Sequence, residues 1–336
     1  MTNETLAGYA NVSLYSAMAV FTIAMVCHAI YLAGLLPARD RASSREHELV
    51  AAGGAGADAP APAGPVGTAA AGTAPGEPAA RHTEADVPLR ARKAAGIAAT
   101  TTWLGGFLLV VSVALRGLSV HRWPLGNMFE FAVMLSMFTV LAYCLWSSRR
   151  DLRWLGLFIT GPVLLVLGMA VAVWYTEAAE LMPSLKSYWL VIHVTVAVIA
   201  TAVFTLAAAA TGIYLVKDAF ARSGRSSVLD RFPETTSIER TAYGLHIVAF
   251  PLWTFTLIAG AIWARQAWAS YWNWDPKEVW TFVIWVVYAA YLHSRATSGI
   301  SRQTASYISL AGYACIIVNF TIVNVFFVGQ HSYSGL

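Results

Sequence analysis

The sequence predicts an all-α, polytopic membrane protein with about eight transmembrane helices and both termini on the outer side. Composition is the first observation: 57% of the 336 residues are hydrophobic and only 12% are charged, whereas a soluble domain carries about 25% charged residues. The mean hydropathy of +0.58 agrees with a chain whose solvent is mostly lipid, where helices satisfy their own backbone groups. These values exclude a water-soluble enzyme and an intrinsically disordered chain.

Eight apolar runs are the second observation, because each approaches the ~20 residues that a helix needs to cross the hydrocarbon core. The fifth run is long enough to tilt or to project from the membrane, and the seventh is short but begins at a clear capping signal. The predicted spans are residues 14–36, 94–115, 128–146, 154–174, 188–216, 241–264, 278–294 and 306–328.

The distribution of basic residues is the third observation. If the N-terminus lies outside, the inner connections hold 17 of the 22 Lys and Arg residues. Basic residues concentrate in cytoplasmic connections, so this count predicts a multi-pass plasma-membrane protein with both termini outside. Three parts follow: an N-terminal helix (1–37), an inner linker (38–93) and a seven-helix region (94–336). Ala, Gly and Pro make up 25 of the 30 residues 51–80, a composition that predicts disorder.

A Trp-rich segment is the most informative part of the chain, since six of the 13 Trp residues fall between residues 263 and 285. Asp275 is a good N-cap, Pro276 suits the first helical position, and Glu278 completes a capping box. Interfacial aromatic belts explain scattered Trp residues, but not this density beside a fixed helix end.

Such a density predicts a flat apolar surface with indole N–H donors along its edge. It suits a large planar ligand with polar edges, such as a porphyrin, whose carboxylates could pair with Lys277 and Arg265. No basic stripe interleaved with exposed aromatic residues is present, so a nucleic-acid partner is not expected. The three Cys residues form no Cys-x-x-Cys pair, which argues against a thiol redox centre.

The run from Trp268 to Glu278 resembles the tryptophan-rich WWD signature of the haem-handling proteins of cytochrome c biogenesis. Within that group the chain is similar to the CcsA/ResC subunit of the system II cytochrome c synthase, called CcsB in actinobacteria. One departure is Ala269, where the family usually has Gly. Further segments of the same resemblance are Pro124 to Glu130, Pro183 to His193, Tyr291 to Arg295 and His331 to Tyr333.

The resemblance implies roles for particular residues. His193 and His331 are expected to be axial ligands of the iron of an outer haem b, since six-coordinate haem takes two imidazole nitrogens. His293, at the inner end of the seventh helix, is expected to bind haem on its way in, with a second ligand from a partner subunit. His246 and His28 are weaker candidates. The expected cofactor-binding set consists of Trp268, Trp272, Trp274, Asp275, Lys277, His193, His331 and His293.

The function implied is haem handling, export and covalent attachment to the Cys-x-x-Cys-His segment of apocytochrome c at the outer face, with a ResB-type membrane subunit as partner. This is the activity of a haem lyase, within a holocytochrome c synthase. A haem transporter or chaperone without ligation activity would use the same residues and stays open. A b-type electron-transfer subunit is a further alternative, although it pairs histidines at middle depth. A solute transporter is the third alternative. That class predicts a broken helix or polar residues at the bilayer centre, and the sequence shows neither clearly.

Overall fold

The protein is described here by a computed structural model, which describes residues 3–35, 87–180, 186–224 and 227–331. The predicted linker up to residue 86, the start of the segment at Pro183, and Ser332 and Tyr333 lie outside the described residues. Within these ranges the fold is all-α and contains no strand, which confirms the predicted class.

Eight helices run through the described part. Seven of them are long and apolar enough to cross a membrane, and α7 lies outside that group. The third, fourth and seventh helices begin and end within two residues of the predicted spans. The first, second and sixth helices begin ten, five and six residues earlier than predicted. The fifth ends six residues later than predicted, and the eighth ends ten residues earlier. The helices are α1 (Glu4–Gly34), α2 (Leu89–Ser119), α3 (Met128–Ser147), α4 (Gly156–Ala172), α5 (Tyr188–Arg222), α6 (Thr235–Trp268), α7 (Pro276–Ala296) and α8 (Arg302–Val318).

Side-chain caps define where several of these helices start. Asn127, Ser187 and Ser301 each accept a backbone N–H of the first turn of α3, α5 and α8. Asp275 caps α7 in a full capping box with Glu278, as the sequence predicts. Because the helix starts are fixed, residues one or two turns further on hold defined positions at that end of the bundle.

The helices pack in two groups. The larger apolar core joins α1 to α5 and the start of α6, and the smaller one joins α5, α6, α7 and α8. The segment after α6 closes the bundle at one end, which we call the Trp-loop end (residues 263–275 and 327–331). The connection between α3 and α4 (residues 148–152) lies at the opposite end, which we call the Arg-loop end.

Candidate functional site

A cavity of about 510 Å³ opens between the two helix groups at the Trp-loop end. Its volume falls in the range of about 300–1,000 Å³ that is usual for small-molecule and cofactor sites. The walls are mainly apolar, and His193, His331 and Lys277 are the basic residues among those that line it. The cavity therefore brings together three of the residues that the sequence selects.

His193 lies two turns into α5 and is anchored by the backbone of α6. Its Nδ1 lies 3.0 Å from the carbonyl oxygen of Thr256, and since a carbonyl only accepts, Nδ1 carries the proton. This tautomer places the lone pair of the imidazole on Nε2, the atom that a metal would use. Gly260 makes room for the ring, because a Cβ there would lie 2.8 Å from Cε1 of His193.

His331 follows α8 and is anchored by a carboxylate. Its Nδ1 lies 2.9 Å from Oδ1 of Asp275. The same carboxylate accepts the backbone N–H of Lys277 at 3.0 Å and that of Gln330 at 2.6 Å. Asp275 thus fixes both the start of α7 and the position of His331, an arrangement known from carboxylate–histidine pairs behind metal ligands.

The environment of Asp275 changes its acidity. Burial raises the pKa of this carboxyl, but the hydrogen bond and charge of His331, together with the backbone N–H groups of Lys277 and Gln330, lower it more. The net pKa lies below the ordinary value for Asp. The carboxylate is therefore ionised throughout the physiological pH range and remains a hydrogen-bond acceptor for the imidazole.

Two tryptophans link the two histidines. The Trp263 ring stacks on His193 with centroids 5.9 Å apart, and it lies 5.7 Å from the His331 ring. Trp268 packs edge-on against His331 at 4.8 Å. We call these four residues the paired-histidine cluster. Its two imidazoles and the Trp263 indole line the cavity, whereas Trp268 contacts Trp263 and His331 without lining it.

The other predicted residues of the Trp-rich segment lie further out. Trp272 and Trp274 contact each other at 5.8 Å, and Trp272 also contacts Phe282. Trp274 is 77% exposed. Neither residue lines the cavity; Trp272 is half-buried and Trp274 lies on the protein surface.

The other three candidate histidines, His293, His246 and His28, lie away from this cluster. His293 is exposed near the other end of α7. His246 is buried on α6 among Tyr288, Tyr291 and Phe204. His28 is buried on α1 near the Arg-loop end.

The segment from Pro124 to Glu130 forms one wall of the cavity. Glu130 is fully buried and accepts hydrogen bonds from Arg116, Arg122 and the backbone N–H of Gly126. The two arginines also donate to backbone carbonyls of Thr176 and Ala179. Through the two arginines, Glu130 links the connection after α2 to the one after α4. Its bond to Gly126 also fixes the backbone next to Asn127, and both of these residues line the cavity.

Several cavity residues were not predicted from the sequence. Trp263 and Gly260 contact His193. Asn319 and Asn324 line the cavity, and their buried side-chain oxygens have no hydrogen-bond partner among the described residues. Asn319 begins a π-helical stretch, Asn319–Val323, that continues α8, and such π turns are frequent at functional sites. The one sequence signal for these cavity residues is Gly260, because a Gly in the middle of an apolar helix often marks close packing.

The described part defines a helical membrane protein that brings two anchored histidines and Trp263 to one cavity. Residues 123–331 match the family described as Cytochrome C assembly protein, which covers more than half of the chain. The chain belongs to this family.

Curated relatives from algae agree with that assignment. Cytochrome c biogenesis protein CcsA of Porphyra purpurea is 28% identical over 280 residues, covering 71% of this chain and 88% of that protein. The protein of the same description from Mesostigma viride is 29% identical, covering 68% and 82%. That from Chlamydomonas reinhardtii is 31% identical, covering 68% and 66%.

Proposed function

We propose that this protein acts in cytochrome c biogenesis, where it binds haem b and presents it for covalent attachment to apocytochrome c. Membership in the cytochrome c assembly family and the description of the relatives as cytochrome c biogenesis proteins support this role. In this proposal the Trp-loop end and both termini face outward from the plasma membrane. The count of basic residues supports that orientation.

The observation that carries the proposal is the pair of anchored histidines. Both rings have Nδ1 held by an acceptor, so both use the tautomer in which Nε2 is the ligand atom. Across the described ranges, no group of three or more His, Cys, Asp or Glu residues could hold a metal ion. Two imidazoles without a third protein ligand suit a metal whose remaining positions belong to a macrocycle, as in haem.

The rest of the cavity suits the remainder of the macrocycle. Apolar walls from α3, α4 and α8 match its flat hydrocarbon surface. Lys277 supplies a cation for a propionate carboxylate. Trp268, Trp272 and Trp274 provide the aromatic surface at the mouth, where the haem edge and the incoming apocytochrome segment would meet.

The proposed reaction needs positioning more than acid–base chemistry. Each thiol of the Cys-x-x-Cys-His segment adds across one haem vinyl group: sulfur bonds to one carbon and a proton ends on the other. The addition is redox-neutral, so it needs no electron acceptor. Alignment of the two reactants can supply up to about 7–11 kcal/mol of barrier lowering.

Two further components belong to the proposal. A ResB-type membrane subunit would hold the apocytochrome, since the described connections at the Trp-loop end are short. His293 would bind haem at the inner side, with a second ligand from that subunit. Its exposed position on α7 leaves it accessible to a partner.

The test is an absorption spectrum of the purified protein beside three variants. His193→Ala and His331→Ala each remove one ligand, so we expect loss of the six-coordinate haem spectrum and recovery when imidazole is added. His121→Asn is the control, because His121 is an exposed loop residue with a positive φ that Asn tolerates. A wild-type spectrum in both Ala variants would refute the ligand assignment.

Reconstitution with apocytochrome separates the proposed lyase activity from a haem transporter or chaperone. If this chain and its partner form the thioether bonds, haem stays with the cytochrome after denaturation. Haem that is transferred but extracted by acid solvent would assign the chain to delivery alone.

A further inference from the structure

A second cavity lies at the Arg-loop end, opposite the paired-histidine cluster. Its volume is about 440 Å³, which again suits a small-molecule site. It is lined by parts of α1, α2 and α3 and by the connection after α3. The proposed haem path through His293 does not use it.

The mouth of this cavity is strongly basic. Arg149 and Arg150 lie on its exposed rim next to the hydroxyl side chains of Ser147 and Ser148. Arg153 forms a bidentate ion pair with Asp151. Within the described ranges, the guanidinium groups of Arg149 and Arg150 have no ion-pair partner, so two positive charges face the opening.

The deeper part of the cavity combines aromatic and polar groups. Trp103 of α2 is 42% exposed on one side, which is typical of an indole at the membrane interface. His28 and Thr102 form the inner wall, where His28 Nε2 lies 3.4 Å from Thr102 Oγ1. His28 is 2% exposed, and none of the residues that the structure describes is a hydrogen-bond partner of its Nδ1.

His28 is poorly placed to bind iron here. Thr102 donates its hydroxyl to the carbonyl of Ala98 at 2.6 Å, so its oxygen accepts from Nε2–H of His28. The edge of the ring that carries both nitrogens also packs against Gly156. A metal would need one of these nitrogens exposed, whereas a phosphate at the mouth needs only the arginines.

We propose that this cavity binds the head group of an acidic phospholipid of the inner leaflet. The phosphate would pair with Arg149 and Arg150, hydroxyls of the head group would reach Ser147 and Ser148, and the glycerol and upper acyl chain would lie beside Trp103. Basic pockets between transmembrane helices on the cytoplasmic side are known to bind acidic head groups. The predicted orientation places the Arg-loop end on that side.

The experiment uses the full chain in nanodiscs of phosphatidylcholine, with or without phosphatidylglycerol. Arg149→Gln/Arg150→Gln removes the rim charges. Arg90→Gln/Arg92→Gln is the matched control, because it removes the same charge from exposed positions near the start of α2 that do not line the cavity. The readouts are the melting temperature and the phosphatidylglycerol that stays bound during purification in detergent.

We expect phosphatidylglycerol to raise the melting temperature of the wild type and of the control, by roughly 2–4 °C. The rim variant should lose this shift, since removing two arginines weakens binding on the order of 30-fold. Equal shifts in both double variants would overturn the proposal in favour of general surface charge. Equal protection by inorganic phosphate alone would overturn it in favour of a soluble anion, and loss of haem absorption confined to the rim variant would assign the cavity to haem.

Discussion

The two ends of this molecule each contain a cavity with a histidine in its wall, and the histidines are held in opposite ways. At the Trp-loop end, His193 and His331 line the cavity and have Nδ1 bound to an acceptor, the tautomer in which Nε2 carries the lone pair. At the Arg-loop end, His28 has Nε2 directed to Thr102 and its nitrogen-bearing edge against Gly156. The ring nitrogen that is hydrogen-bonded, and not the degree of burial, therefore distinguishes a candidate ligand from a histidine that only packs in the core.

The charged groups differ in the same way. The Trp-loop cavity encloses its one lysine within apolar walls, so a charge there is suited to a defined carboxylate. The Arg-loop cavity carries its arginines on an exposed rim, where they can attract a surface anion. Substitutions at corresponding positions of the two ends should therefore differ in their effects on haem binding and on the free energy of unfolding.

Two glycines give the largest expected contrast, because each lies directly against a histidine ring. Gly260→Ala places a Cβ 2.8 Å from His193, so the imidazole must move and we expect haem binding to weaken about 100-fold. Gly156→Ala crowds His28 instead, and overpacking should lower the free energy of unfolding by about 1–3 kcal/mol without altering the haem spectrum of the folded fraction. Haem titration and thermal unfolding measure the two effects.

The same outcome for the two glycine variants would contradict the proposed difference between the histidines at the two ends. If Gly156→Ala changed the haem spectrum as strongly as Gly260→Ala does, His28 would belong to the haem path. If Gly260→Ala left haem binding intact, the position of His193 would not matter for the ligand.

Asp275→Asn tests how much the charge of the carboxylate next to His331 contributes to haem binding at the Trp-loop end. Asn retains an oxygen that can accept from His331 and cap α7, but it loses the charge that strengthens both bonds. We expect haem affinity to fall about tenfold, at the lower end of the range for residues that orient metal ligands. Equilibrium haem titration checks this value, and Asp151→Asn at the Arg-loop end is the control.

The acidity of Asp275 adds a pH dependence. Its pKa in the folded protein is lowered, so its contribution to stability is fully present above the unfolded pKa of about 4. That contribution is lost as the pH falls below this value toward the folded pKa. The melting temperature of the wild type should therefore fall more steeply below about pH 4 than that of Asp275→Asn. Parallel curves of melting temperature against pH would contradict the lowered pKa.

The sequence predicts the all-α class and the capping box at Asp275, because local patterns carry this information. The family resemblance selects His193 and His331, which line one cavity, and their role as ligands stays a prediction. The sequence does not predict that Asp275 holds His331, since the two residues are 56 positions apart and meet only through the packing of α7 and α8. Nor does it reveal the outward position of Trp274, which follows from backbone turns with positive φ at Ala269 and Trp274. That geometry gives the reason why Gly is usual at the position of Ala269.

Two threonines give the smallest expected contrast. Each bonds its own helix through the hydroxyl, and each lies beside a histidine, but only Thr102 uses its side chain to hold the ring. Thr102→Val should lower the free energy of unfolding by about 1 kcal/mol, because His28 loses its acceptor. Thr256→Val keeps the carbonyl that accepts from His193, so the haem spectrum should stay unchanged. A spectral change in Thr256→Val would mean that the hydroxyl, and not the backbone, orients His193.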